Sequence, residues 1–478
     1  MYFSLFFAAI AALIKLASTQ DDLPGKFEPA GRSGVPVMHA ALLPNGKVVF
    51  LDKLEKYTES KLPTGRYAYS VEYDPTTHEL SPLSLSSNAF CCGDGRVFIA
   101  AGSLNGLDIR DLRNNNPTYE LLDKQGKPIA RSISMDILVK NQPYWMYPFL
   151  HLLRDGTLFV FTAKSSQIFD VDQNRIIRQL PDLKGLKRTY PNTGGSVMLP
   201  LTKQNNYGSQ IMICGGGEID DILSTTDETC GTISPMSTKP EWKMTKMPGG
   251  GRLMVEGTLL LDGTVLWLNG ARLGCQGFGT ANNSALEALI YDPQAESWAT
   301  AGKTDIPRMY HSVALMLLDG TILIAGSNPN EMPLPEENVV QDNPTRAYAT
   351  EFRVEKYIPH YLLENKAEMR PTGMRIRDKI LVPGGTITTI SFDLNSNHVP
   401  KDVKVLLYHG GFVTHSLHMG QVMVEMESLP PKLKYSSGNQ WTVEARVPDI
   451  KIAPGPYVIY VVVDGVPSIG QFVSIQIY

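Results

Sequence analysis

A tight turn followed by an apolar strand recurs along the first three quarters of the chain. It reads Asn45-Gly46 before KVVFLD, Asp94-Gly95 before RVFIAAGS and Asp155-Gly156 before TLFVFTA. It returns as Asp262-Gly263 before TVLWLNG and Asp319-Gly320 before TILIAGS. Apolar runs such as HAALLPNG, YPFLHLLRDG and HSVALMLLDG lead into the turns. Two strands around Asn-Gly or Asp-Gly predict a hairpin with φ > 0 at the turn centre. The turn glycines Gly46, Gly95, Gly156, Gly263 and Gly320 are 49, 61, 107 and 57 residues apart. The long gap spans two periods, and GGSVMLPLTKQNNYGSQIMICGGG, residues 194–217, fills it with a degenerate copy. Hairpins repeating about every 50 residues are the signature of a kelch-type β-propeller. Blades around a central channel leave only short, protected edges. The competing reading is a stack of unrelated hairpins in several sandwiches.

The repeats run from about residue 35 to 357. After YIPHYLLENKAEMRPTG the chain carries alternating strands without the repeat: TITTISFD, VKVLLYH, QVMVEME, WTVEARV, YVIYVVVDG and QFVSIQIY. That spacing predicts a β-sandwich over the last hundred or so residues. The reading is therefore all-β, with a propeller domain over 20–357 and a sandwich domain over 358–478. The 20 tyrosines, 41 glycines and 33 prolines agree with a strand- and turn-rich chain. Forty-four basic against 48 acidic residues leave no surplus to neutralise a phosphate backbone, so nucleic acid is excluded as a partner.

The N-terminus, MYFSLFFAAIAALIKLASTQDD, is apolar from Tyr2 to Leu16 apart from Ser4 and Lys15. Small residues follow, which reads as a secretory signal peptide over 1–19 and a secreted, extracellular protein; an uncleaved anchor helix is the alternative. No later stretch reaches the ~20 apolar residues of a membrane span. The Asn282-Asn283-Ser284 sequon is compatible with secretion. Five cysteines, Cys91, Cys92, Cys214, Cys230 and Cys275, make an odd count for an oxidising compartment. Cys214 and Cys230 flank a short polar loop and are the expected disulfide. Adjacent Cys91 and Cys92 do not readily bond each other, so one needs another fate.

Propeller sites lie where the channel opens, at the starts of the inner strands. There the copy RMYHSVALMLLDG offers Tyr310 and His311, and MYPFLHLLRDG offers Tyr147. Tyr147 stands eight residues before Asp155, and Tyr310 nine before Asp319. The sandwich adds HGGFVTHSLHMG with His409, His415 and His418. Strand alternation would put His415 and His418 on opposite faces. Phenolate and imidazole together suit Cu(II).

These same residues carry a resemblance to the glyoxal oxidases, copper-radical enzymes related to galactose oxidase. It runs from about Gly34 to the C-terminus, and its most specific stretches are RMYHSVALMLLDGTILIAGSNPN and FVTHSLHMGQ. The resemblance implies a seven-bladed propeller and an immunoglobulin-like (E-set) sandwich that sends a histidine into the channel. It implies Tyr147, Tyr310, His311 and His415 as copper ligands. Tyr147 would carry the radical, joined by a thioether to Cys91 of the Phe90-Cys91 pair, with Cys92 as the substitute. Tyr310 would be the general base. The chain departs from the family where Cys91-Cys92-Gly93 runs straight into Asp94-Gly95, and where Tyr-Trp-Met replaces the usual Arg-Trp before Tyr147.

The expected reaction is oxidation of small aldehydes such as glyoxal or methylglyoxal to acids, with O2 reduced to H2O2. A two-electron oxidation at a one-electron metal needs a second redox group, which a cross-linked phenol supplies. Peroxide-consuming enzymes are the implied partners, in an extracellular, cell-wall-associated setting. Two other readings use the same residues: a galactose oxidase-like primary-alcohol oxidase, and a catalytically inactive kelch-type protein that binds carbohydrate or cell wall.

Overall fold

The computed structural model describes residues 22–53, 56–84, 98–106, 108–123, 127–129, 131–385, 387–395, 398–434 and 438–477. The segment read as a signal peptide, the Asp94-Gly95 turn, Cys91 and Cys92 lie outside these residues. Among the described residues the protein is all-β, its one α-helix being Asp136–Lys140.

The repeated turns form hairpins, but of another type than expected. Leu43, Leu153, Leu260 and Leu317 each accept a backbone hydrogen bond from the turn glycine three residues on, at 2.9–3.0 Å. Only the glycines have positive φ, 84°, 91°, 94° and 79° at Gly46, Gly156, Gly263 and Gly320. Each turn is thus a three-residue loop closing on a glycine bulge, not a two-residue turn. The acid before the glycine keeps φ negative and uses its side chain instead. Asp155, Asp262 and Asp319 each accept from the backbone N–H of the following threonine at 3.0 Å.

Six sheets of three or more strands follow one another through the repeat region of the described residues, and a two-stranded sheet, Ala271–Gly274 with Ala281–Ser284, accompanies the fifth. The first strands are His39–Leu42, Phe149–Leu152, Gly195–Met198, Glu256–Leu259 and Ser312–Met316; in the second sheet the described strands start after the Asp94-Gly95 turn, at Phe98–Ala100. The degenerate copy at 194–217 builds the first two strands of the fourth sheet, where Cys214 and Cys230 pair across the ladder and form the expected disulfide. Neighbouring first strands pack on one another, Gly195–Met198 on Glu256–Leu259, that on Ser312–Met316, and that on His39–Leu42. The N-terminal strand Lys26–Arg32 pairs with Arg353–Ile358 as the outer strand of the last sheet. Early and late parts of the region are thereby tied together.

Three buried arginines stand just before first strands and bind the sheets internally. Arg308 donates to the carbonyls of Gly326 and Arg353 and pairs with Glu355 at 2.9 Å. Arg188 does the same with Gly215, Thr229 and Asp227. Arg252 reaches the Glu287 carbonyl at 3.0 Å. Carbonyls at strand ends would otherwise be buried without donors, which a planar guanidinium relieves two at a time.

Two sheets make up the C-terminal sandwich, one built on Thr388–Asp393 and Gln440–Arg446, the other on Val403–His409 and Gly455–Val463. The second is covered on both faces, which explains the unbroken apolar run YVIYVVV. Val405, Leu407, Ile459 and Val461 face the sandwich interior. Leu406, Tyr408, Val458 and Tyr460 face the repeat region and pack with Leu259, Leu261 and Met316. Tyr460 donates to the Leu317 carbonyl, and the Gly470 and Lys451 amides donate to Leu318 and Arg154. The sandwich therefore sits at the turn end of the first strands, leaving their starting end for a site.

Candidate functional site

Local backbone geometry sets the site. Tyr147, Met254 and His311 each stand eight residues before a turn aspartate, and their φ values are 52°, 52° and 58°. A left-handed residue bends the chain just before the first strand. Of the pair Tyr310 and His311, it is His311 that is the counterpart of Tyr147. Tyr310 stacks on it from the preceding position, ring centroids 3.8 Å apart.

The fourth residue arrives from the other domain. Between Val403–His409 and Val422–Glu425 the sandwich extends a hairpin, Phe412–Thr414 and Leu417–Met419. It adds to the first sheet, with His39 opposite Thr414 and Ala40 opposite Val413. Its turn is His415-Ser416, with φ of 51° and 65°. Two positive φ values define the two-residue hairpin turn that ordinarily takes Asn-Gly. His415 is therefore a turn residue, and the alternation argument does not reach it. His418 does point elsewhere: its Nε2 lies 2.9 Å from Oε1 of Glu256, and both side chains are buried. The Leu259 amide donates to Gln421 at 2.8 Å. His409 contacts the Pro456 carbonyl within the sandwich and takes no part.

Tyr147, Tyr310, His311 and His415 thus meet. Nε2 of His415 lies 3.3 Å from Tyr147 Oη and 3.3 Å from His311 Nε2. Its ring centroid is 4.6 Å from that of Tyr147, 5.6 Å from Tyr310 and 4.9 Å from His311. Tyr310, His311 and His415 are buried, and Tyr147 is half-buried. Burial pushes the His415 imidazole down to about 3, with His39 adding to it. His311 is held well below the ordinary range by burial and then by His415, His39 and Lys53. Both rings are neutral near pH 7 and present lone pairs.

This donor set fits a metal ion. Two imidazole nitrogens face each other at 3.3 Å, and a phenol oxygen lies 3.3 Å from one of them. Donors about 2 Å from one ion and at right angles lie about 3 Å apart. Among the described residues no three His, Cys, Asp or Glu side chains gather to hold a metal; tyrosines supply the other half of this set.

Further residues escaped the sequence reading, His39 opposite Thr414 among them. Phe278, on the loop between Ala271–Gly274 and Ala281–Ser284, lies 5.6 Å from the Tyr310 ring and 5.8 Å from His311. Lys53 Nζ lies 5.8 Å from the Phe278 ring. Glu256 anchors the inserted hairpin, and its signal was an acid at the head of the apolar run GTLLLDG. Thr414 holds His415, and no sequence pattern distinguishes it from other strand threonines.

The glyoxal oxidase N-terminus family matches residues 113–361, more than half of the chain. The galactose oxidase-like Early set domain matches residues 370–475. The fold and its two matched segments define a galactose oxidase-like architecture. Within that class the chain belongs to the glyoxal oxidase family. It is 29% identical to an aldehyde oxidase GLOX from Vitis pseudoreticulata, over 97% of this chain and 99% of that one. It is 27% identical to aldehyde oxidase GLOX1 from Arabidopsis thaliana, over 96% of this chain and 86% of that one. Among solved structures, a fungal alcohol oxidase of the AA5 family in complex with copper superposes with a TM-score of 0.63 at 17% identity. That superposition covers 95% of this chain and all of the other, and it shows a shared fold.

Proposed function

We propose that this chain is a secreted copper-radical oxidase that converts small aldehydes of the glyoxal and methylglyoxal kind to carboxylic acids while O2 becomes H2O2. The convergence of Tyr147, Tyr310, His311 and His415, from segments up to 268 residues apart, carries the proposal. The successive sheets are read as blades of a kelch-type propeller; the family leads one to expect seven, against six sheets of three or more strands in the repeat region of the described residues. The apolar N-terminus and the Cys214–Cys230 disulfide support export.

Those four side chains would hold the copper. Bound there, copper and a Tyr147 phenol cross-linked to the Cys91 sulfur would supply the two one-electron acceptors that the oxidation needs. The chain's own groups do the rest. The Tyr310 oxygen takes the hydroxyl proton of the hydrated aldehyde. The Tyr147 oxygen receives the hydrogen from the substrate carbon. Phe278 packs edge-on against Tyr310 and His311. The balance is RCH(OH)2 + O2 giving RCO2H + H2O2.

Peroxide assays with methylglyoxal and galactose in parallel, alongside copper stoichiometry, test this. The expected result is one copper per chain, peroxide with methylglyoxal, and loss of activity in Tyr147→Phe. Peptides spanning Cys91 and Tyr147 should stay joined under reducing conditions, two hydrogens lighter than their sum. Peroxide from galactose alone would make the protein a primary-alcohol oxidase. Neither copper nor peroxide would leave a wall- or carbohydrate-binding protein.

A further inference from the structure

His415 has two ring nitrogens, and only Nε2 faces the cluster. The other, Nδ1, lies 2.5 Å from the Thr414 hydroxyl. That hydroxyl lies 2.7 Å from Nδ1 of His39. All three side chains are buried, at 0% exposure for His39, 3% for Thr414 and 1% for His415, so water does not replace any of these contacts. The sheet register holds the chain together, because His39 and Thr414 are directly opposite across the added strand. Phe412 stacks on the His39 ring, centroids 5.3 Å apart, and fixes its plane.

A threonine hydroxyl carries one proton and accepts through its lone pairs. If it donates to His39 Nδ1, it accepts from His415, which must then carry its proton on Nδ1 and leave Nε2 bare. If it donates to His415, the proton of that ring moves to Nε2 and points into the cluster. The first arrangement leaves a lone pair on Nε2 that accepts from the Tyr147 O–H at 3.3 Å and is open to a metal ion, whereas in the second Nε2 donates to the phenol oxygen and has no lone pair to offer. We propose that Thr414 and His39 are positioning residues that fix the His415 tautomer, so that its Nε2 lone pair faces Tyr147 and His311. The relay closes only when the sandwich hairpin is seated on the first sheet. Docking of one domain on the other thereby sets the electronic state of a ligand in the site. Groups behind a metal-binding histidine commonly have this role.

The inference rests on the proposed copper site for what Nε2 binds, but the tautomer itself is measurable without metal. Selective 15N-histidine labelling of the copper-free protein reads it from the ring nitrogen shifts, with His415→Gln assigning the signal. The Nδ1–H form is expected in the parent and in Thr414→Ser, and its loss in Thr414→Val. Cu(II) affinity by chelator competition should fall about 10–100-fold in Thr414→Val and return close to the parent in Thr414→Ser. His39→Leu should weaken copper binding as well, and His39→Asn, whose carbonyl can accept in place of Nδ1, should restore it. An Nε2–H form in the parent overturns the relay, and so does parent-like copper affinity in both Thr414→Val and His39→Leu. A parent that takes up no Cu(II) refutes the copper reading instead, and the tautomer signal still decides the relay.

Discussion

Glu256→Leu tests whether the inserted hairpin is locked by the carboxylate beneath it. Glu256 is fully buried at the head of Glu256–Leu259. Its Oε1 accepts from the Ala314 amide at 2.7 Å and contacts His418 Nε2 at 2.9 Å. Its Oε2 accepts from Asn269 at 3.3 Å. Leucine keeps most of the volume but orphans three buried polar groups. Each costs about 1–3 kcal/mol when left without a partner. Thr258 Oγ1, 3.3 Å from His418 Nε2, takes up part of the loss, so the expected cost is about 3–6 kcal/mol. Unfolding entropy is about 2.1 cal/mol/K per residue, so 478 residues unfolding as one unit lose roughly 1 °C of Tm per kcal/mol. Scanning calorimetry or dye-monitored melting should therefore show a drop of about 3–6 °C. Glu256→Gln retains an acceptor for Ala314 and should lose about half as much. A Glu256→Leu Tm within 1 °C of the parent would refute the lock.

Ser416 holds φ of 65° in the hairpin turn. Ser416→Gly should leave Tm unchanged or higher, while Ser416→Val, with a branched side chain in left-handed backbone, should lose about 1–3 °C; equal midpoints would show that the turn does not constrain His415. Burial holds the His151 imidazole, 2.7 Å from Ser196, down at about 4. The unfolded chain, with an ordinary value near 6.5, binds the extra proton between those limits. Stability from this group is thus complete above about pH 6.5 and is lost as pH falls towards 4, by roughly 3 kcal/mol. His151→Gln should flatten the Tm–pH curve across that window by about 3 °C, and an unchanged slope would remove His151 from the acid sensitivity.

The sequence alone determined whatever is built within a few residues or repeated along the chain. Asp-Gly and Asn-Gly turns specify hairpins through glycine φ and an aspartate side chain reaching its own backbone, so the strands of the repeat region were legible. Alternation gave the sandwich, and a short intervening loop gave the Cys214–Cys230 pair. The four site residues were legible because they sit at fixed offsets from those turns or, for His415, in the stretch FVTHSLHMGQ that carries the family resemblance. What only the tertiary structure decided is register and approach. His311 rather than Tyr310 matches Tyr147, because the left-handed residue eight places before the aspartate is what aims the side chain. His415 lies in a turn rather than on a strand, because a hairpin of the second domain pairs with the first sheet. His39, Thr414, Glu256 and Phe278 owe their partners to segments up to 375 residues away. Hydrogen bonds and packing act over a few ångströms of space, and no local sequence pattern encodes which distant segment comes to occupy it.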